Sequence, residues 1–229
     1  MSWNKYFIFV KRPKLTNINE ILKKLRLDHY KPEKEVSADY TNKPTTLYVG
    51  LFNNNLFIVH PDLPFLFYRQ TPSETEKRFT ETFPDSEIAA LVEDGTVSLF
   101  GYSIIDKGNR VRLLNGSEGE YHISIGNTIP EEIESIEQTT FNKEEINYMQ
   151  EDGMNNEEIE KMRIFESHWR VPSLLTKRYL GKRIDQIDTD KVILTKYTSE
   201  EKDNFESSPK EKEIQNLIEH IRNLSNQIK

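Results

Sequence analysis

Residues 83–115, FPDSEIAALVEDGTVSLFGYSIIDKGNRVRLLN, constrain this chain more than any other stretch. Asp94-Gly95 separates the apolar runs 89–92 and 97–105, and Asp-Gly between such runs is a strong signal for a tight type I′ hairpin turn. Lys107-Gly108-Asn109 then joins the middle run to 110–114. Short connections of this kind allow only antiparallel neighbours, so the stretch predicts a three-stranded meander. In its third strand Val111 and Leu113 face one way, Arg110 and Arg112 the other. The middle strand changes parity: Val97 and Leu99 share one face, Phe100, Tyr102 and Ile104 the other, with Gly101 at the changeover. Either both faces are covered, or a bulge at Gly101 flips the register. Tyr121, Ile123 and Ile125 alternate as a fourth strand, ended by Gly126-Asn127 and Pro130.

Around this meander the pattern predicts further strands at 6–10, 46–52, 56–60, 65–69 and 192–197. Asn53-Asn54-Asn55 supplies a turn for the second and third of these, because Asn tolerates left-handed backbone. The polar stretch 28–44 reads as a loop. Ile18, Ile21, Leu22 and Leu25 form one helical face that Thr16 or Asn17 can cap, and Thr71-Pro72-Ser73-Glu74, with Thr71 as the cap, opens a helix that buries Phe79 and Phe83. Helical segments follow from about 143 and over 156–170, the latter capped by Asn155 with Glu158 and carrying Ile159, Met162 and Trp169 on one face. Gly181 then terminates a short helix over 172–180 in a left-handed conformation. The expectation is an α+β fold on a largely antiparallel sheet, its meander over 87–125, in a single domain spanning 1–197. A charged linker at 198–210 and an amphipathic helix at 211–229 come after it. In that helix Ile214, Ile221 and Ile228 share one heptad position and Leu217 and Leu224 another, the arrangement favoured by parallel dimeric coiled coils.

Charge narrows the functional classes. The net charge is −7, which argues against non-specific nucleic-acid binding as the main role. It is unevenly placed: between Glu131 and Glu160 there are eleven carboxylates and one lysine, a balance of −10, so the remainder stands at +3. Lys177, Arg178, Lys182 and Arg183 form a basic patch that either receives an acidic partner or compensates the −10 segment within the chain. With no cysteine, disulfides and thiolate chemistry are excluded, and a reducing compartment fits. No apolar run approaches the ~20 residues of a membrane span, and 6–10 is shorter than the roughly 7–15 residues of a signal-peptide core. A cytoplasmic protein without membrane association is expected.

Chemical motifs are scarce. His29, His60, His122, His168 and His220 lack metal-ligand spacing, and neither a nucleophile elbow nor a phosphate-cradling glycine loop is present. The sequence thus predicts neither a metal nor a cofactor. The densest polar cluster is His60, Asp62, Tyr68 and Arg69 among Phe65 and Phe67. It could line a ligand cleft; the plainer reading makes the aromatics core and the polar groups a loop edge. Arg110 and Arg112 could receive an anion, or form the solvated face of an antiparallel sheet.

The Leu-Phe-Gly-Tyr strand at 99–102, the Asp106-x-Gly108-x-x-x-Arg112 hairpin and Gly126-Asn127-x-x-Pro130-Glu131 together resemble an uncharacterised bacterial family of domains of unknown function. Residues 175–185 look like a closing element of the same proteins. The resemblance spans roughly residues 46–185 and implies no activity, so it transfers no functional residues. The expected function is a non-enzymatic protein-binding or adaptor module, an immunity-like inhibitor of a basic enzyme being one concrete form. Its contacts would come from the acidic segment, the basic patch and the terminal helix, which also offers a route to a homodimer. The alternative is a small-ligand-binding protein or hydrolase-type enzyme with a cleft near 60–69.

Overall fold

The computed structural model describes residues 4–38 and 46–200. Its frame is a nine-stranded sheet in which every neighbouring pair is antiparallel. In chain order the strands are β1 (Lys5–Val10), β2 (Lys31–Ser37), β3 (Thr46–Phe52), β4 (Asn55–Val59), β5 (Glu87–Asp94), β6 (Leu99–Asp106), β7 (Asn109–Ser117), β8 (Glu120–Gly126) and β9 (Ile193–Thr198). In space they run β2-β9-β3-β4-β1-β5-β6-β7-β8. β1 lies at the centre and is buried at all six positions, which explains its unbroken apolar run. The fold is therefore α+β on an antiparallel sheet.

Helices cover both faces. On one side lie α1 (Ile18–Lys24), a 3-10 helix (Leu63–Phe67) and α2 (Glu74–Thr82), packed over Ile8, Val10, Ile58, Ile88 and Val92. On the other lie α3 (Pro130–Gln138), α5 (Asn156–Ser167), α6 (Val171–Leu175) and α7 (Lys177–Leu180), with α4 (Lys143–Glu151) outside them. Their core holds Phe9 stacked between Phe57 (4.5 Å) and Tyr179 (4.8 Å), and Phe100 against Phe165 (5.2 Å). Each such buried side chain contributes roughly 1.5–3 kcal/mol.

Three hairpins turn on two residues that both take positive φ: Asn53-Asn54 (49° and 60°), Lys107-Gly108 (49° and 78°) and Glu118-Gly119 (51° and 85°). That is type I′ geometry, matched to the twist of the strands. Asp94-Gly95 does not form one. The closing pair there is Asp94 with Leu99, around a four-residue loop in which Ser98, not Gly95, takes the positive φ. The Asp94 carboxylate accepts the Thr96 N–H at 2.8 Å and the Tyr6 hydroxyl, and this inward anchoring displaces the two-residue turn.

Other expectations are corrected too. The polar stretch 28–44 contains β2, a strand with five exposed residues, paired to β9 and bulged after Pro32. Residues 65–69 are not a strand but largely the 3-10 turn. The cap of α2 is Ser73, whose Oγ accepts the Glu76 N–H, rather than Thr71. Gly101 is no bulge, since both faces of β6 are covered; a Cβ there would lie 2.7 Å from the Tyr68 ring. The bulge falls instead at Val111, where Ile104 pairs with Arg112 and Ile105 with Arg110. Thr198 closes β9 instead of opening a linker. Linker residues 201–210 and the helix proposed for 211–229 lie outside the described residues.

Candidate functional site

The bulge at Val111 sends Arg110 and Arg112 to opposite faces of the sheet, so strand parity fails for them. Neither belongs to a solvated face. On the α2 side, Arg110 donates to the backbone carbonyls of Arg69 (2.6 Å) and Gln70 (3.1 Å) and pairs with Glu76. On the α3 side, Arg112 is 5% exposed; its Nε donates to Glu132 Oε1 at 2.6 Å and its Nη2 to Oε2 at 3.2 Å. Both guanidiniums hold helices to the sheet.

The cluster at 60–69 is occupied by structural contacts. His60 is buried: its Nδ1 accepts the N–H groups of Asp62 (3.1 Å) and Leu63 (3.2 Å), which places its proton on Nε2, facing the Tyr30 hydroxyl at 2.9 Å. Tyr68 is buried and donates to the Ala90 carbonyl at 3.2 Å, while Asp62 and Arg69 are half-buried. Among the described residues no group of His, Asp and Glu could hold a metal ion. No described helix is long and apolar enough to cross a membrane.

The basic patch splits. Arg178 donates twice to Glu131 (2.6 Å each) and once to Glu87 (3.0 Å), and Lys177 reaches Glu134 at 2.7 Å, so these two compensate the acidic segment. Arg183 pairs locally with Asp185, and Lys182 is exposed. The hydrogen bonds that Arg178 donates to Glu131 hold its guanidinium well above its ordinary range.

The acidic segment is where the architecture changes character. α3 turns Glu132 and Ser135 inward and leaves Ile133 half exposed, a polar stripe where an apolar one is the rule. Glu132 answers Arg112; His168 Nε2 lies 3.8 Å from its carboxylate, and His168 Nδ1 is 2.7 Å from the Ile164 carbonyl. Burial pushes the Glu132 carboxyl up, but contact with His168 and the bonds and charge of Arg112 outweigh it and hold it below its ordinary range. Tyr121, beside His168 at 3.0 Å, is pushed up to about 12, first by burial and then by the Glu132 charge. Tyr102 is buried next to the same carboxylate without reaching hydrogen-bond geometry.

Ser135 donates to the Ser167 carbonyl at 2.6 Å, tying α3 to α5. Arg163 donates to the carbonyls of Ile136 (2.6 Å) and Thr139 (2.8 Å), satisfying the open C-terminal end of α3. On this fixed base stands α4, which buries no residue at all. Asn142 with Glu145 forms a complete capping box on α4, and Asn155 with Glu158 forms another on α5. Tyr148 of α4 is 66% exposed.

Between these helices lies a groove of about 530 Å³ whose apolar lining is Ile136, Phe141, Ile146 and Ile159, with Glu137, Glu160 and Arg163 in its polar lining. Of the segment's eleven carboxylates, Glu131, Glu132, Glu134, Glu157 and Glu160 are ion-paired, and Glu145 and Glu158 serve the capping boxes. Glu137, Glu144, Glu151 and Asp152 do neither among the described residues.

Sequence reasoning identified the acidity but not the groove, nor Glu76, Glu132 and His168 as buried partners. A usable signal existed for Glu132: it stands three residues after Ile129 and four before Ile136, at an inward helical position. Comparison with protein-family models, with curated proteins and with solved structures gave no match.

Proposed function

We propose that this chain is a non-enzymatic protein-binding module that meets its partner through α4 and the acidic surface around it. An immunity-like inhibitor of a basic enzyme is its most concrete form. The observation that carries the reading is α4 itself. A nine-residue helix has little stability of its own in water, and tertiary burial normally supplies the rest. α4 has capping at its start, no buried side chain, an exposed Tyr148 and, at Glu144 and Glu151, carboxylates with no ion-pair partner among the described residues. A partner that covers α4 would supply the missing burial, an exposed tyrosine is a common interface anchor, and the carboxylates would speed encounter with a basic surface.

A cysteine-free chain suits a reducing compartment, so the cytoplasm is where we look for that partner. Self-association through Ile214, Leu217, Ile221, Leu224 and Ile228 extends the same reading. Light scattering of the full chain over a concentration series checks it, and a constant one-chain mass rejects it.

The test of the main reading is affinity enrichment with the parent protein and an Ile146→Ser/Tyr148→Ser variant, followed by reconstitution with the purified partner. The reading predicts a stoichiometric partner whose affinity falls about tenfold or more in the variant. A reconstituted partner bound equally by both proteins would remove α4 from the interface and defeat the proposal.

A further inference from the structure

Resting on that reading, we infer that the groove bounded by the end of α3, the 139–142 connection and the facing sides of α4 and α5 receives one cationic amphipathic helix of the protein partner. The lining of the groove supplies an apolar surface. Ile136, Phe141, Ile146 and Ile159 come from three helices and a connection, and a groove of about 530 Å³ between them has room for several apolar side chains at once. Such a surface is matched by the apolar stripe of a helix.

The surroundings of the groove are acidic. Glu160 and Arg163 are both in the lining but neutralise each other through two hydrogen bonds, of 2.8 and 2.6 Å. Among the described residues that leaves Glu137 as the uncompensated charge in the groove, with Glu144, Glu151 and Asp152 outnumbering Lys143 on α4 and just beyond it. An anionic occupant would be repelled, and lysine or arginine on the flanks of a helix would be drawn in.

The backbone decides between a helix and an extended peptide. An added strand or extended segment binds through main-chain hydrogen bonds and needs free partners. Here the Ile136 and Thr139 carbonyls at the end of α3 accept from Arg163. The first amides of α4 and α5 donate to Asn142 and Asn155. With those helix-end groups taken, an occupant that satisfies its own backbone, as a helix does, fits the groove better than a strand that needs a continuous ladder.

The test uses the full chain, labelled with 15N, and a fluorescent leucine–lysine peptide of helical periodicity as the probe. Two control peptides carry the same composition in strict alternation, and lysine alone. The expected result is saturable binding of the helical peptide, amide shifts concentrated over 136–163, and affinity that falls steeply from about 50 to about 300 mM salt. Glu137→Lys and Ile146→Ser each reduce that affinity about tenfold, whereas Glu20→Lys on α1 leaves it unchanged. Glu137 and Glu20 are surface positions, so the comparison does not depend on a destabilised variant.

Absence of saturable binding, equal binding of either control peptide, or shifts centred elsewhere would overturn the inference. A cellular partner that depends on Tyr148 but is not displaced by the helical peptide would also overturn it while leaving the protein-binding reading intact. Conversely, specific peptide binding at the groove with a partner indifferent to α4 would sustain the groove and defeat the broader reading.

Discussion

Breaking the Arg112–Glu132 pair should cost far more than its single ion pair suggests, and replacing both partners should cost less than replacing one. The side chains are 6% and 2% exposed and joined by two hydrogen bonds, so each charge depends on the other for solvation. Glu132→Gln leaves the Arg112 guanidinium buried against a neutral amide, and Arg112→Met leaves the carboxylate without its guanidinium, beside His168 and Tyr102. Removal of one partner of a buried pair typically costs about 3–5 kcal/mol. For a domain of this size about 2–4 °C of Tm accompanies each kcal/mol, so each single variant should melt about 6–20 °C lower. The Arg112→Met/Glu132→Leu double variant removes both charges and should recover most of that loss, although Ser124 and the Ile125 and Gly126 carbonyls lose a donor. Guanidinium unfolding monitored by tryptophan fluorescence and circular dichroism, with unchanged m-values, reads the cycle. Additive losses within ~0.5 kcal/mol would refute the claim that the two residues act as one unit.

Two buried glutamates on opposite faces should titrate in opposite directions. Glu132 is held below its ordinary range, so its contribution is present at neutral pH and is lost as pH falls from about 4.5 through its lowered value. Glu76 is raised because burial outweighs Arg110, so folding favours its protonated form and its contribution weakens as pH rises through that raised value. Side-chain carboxyl NMR, assigned with Glu132→Gln and Glu76→Gln, should find Glu76 titrating above Glu132; the reverse order would contradict both environments. Gly126→Ala should destabilise more than Gly108→Ala. Both take positive φ, worth about 1–2 kcal/mol against a side chain, but only at Gly126 would the new Cβ meet a carbonyl, that of Val111, at 2.0 Å. Equal losses in urea melts would show that the strand end yields freely. His60→Ala should cost about 2–4 kcal/mol in the same assay, because it removes a buried ring whose Nδ1 accepts the Asp62 and Leu63 amides and whose Nε2 faces the Tyr30 hydroxyl. A loss under ~0.5 kcal/mol would mean His60 is not structural.

Legibility in the sequence followed locality. Turns fixed by their own residues were readable: Asn53-Asn54 and Lys107-Gly108 sit where left-handed backbone is required. The central strands were readable as well, since apolar residues on both faces of β1, β4 and β5 mark full burial. Asp94-Gly95 was misread because Tyr6, far away in the chain, captures the aspartate. β2 was invisible because an edge strand with exposed Lys31, Glu33 and Glu35 draws its order from the β9 ladder, not from its own burial. Arg110 and Arg112 could not be placed by alternation once one extra residue at Val111 inverted the parity. The acidic surface was evident from composition, but its division into ion-paired, capping and unpaired carboxylates depends on which helix each one joins.

Hydrogen exchange on the purified complex with the captured partner tests the central claim most directly. In the free protein the amides of 143–151 should exchange fast, since α4 buries none of its residues, while those of β1, β5 and β6 stay protected. In the complex the account predicts strong new protection over 136–163, greatest on α4, with the rest of the sheet unchanged. Unaltered exchange on α4, with protection gained instead over 60–69 or 177–183, would contradict it.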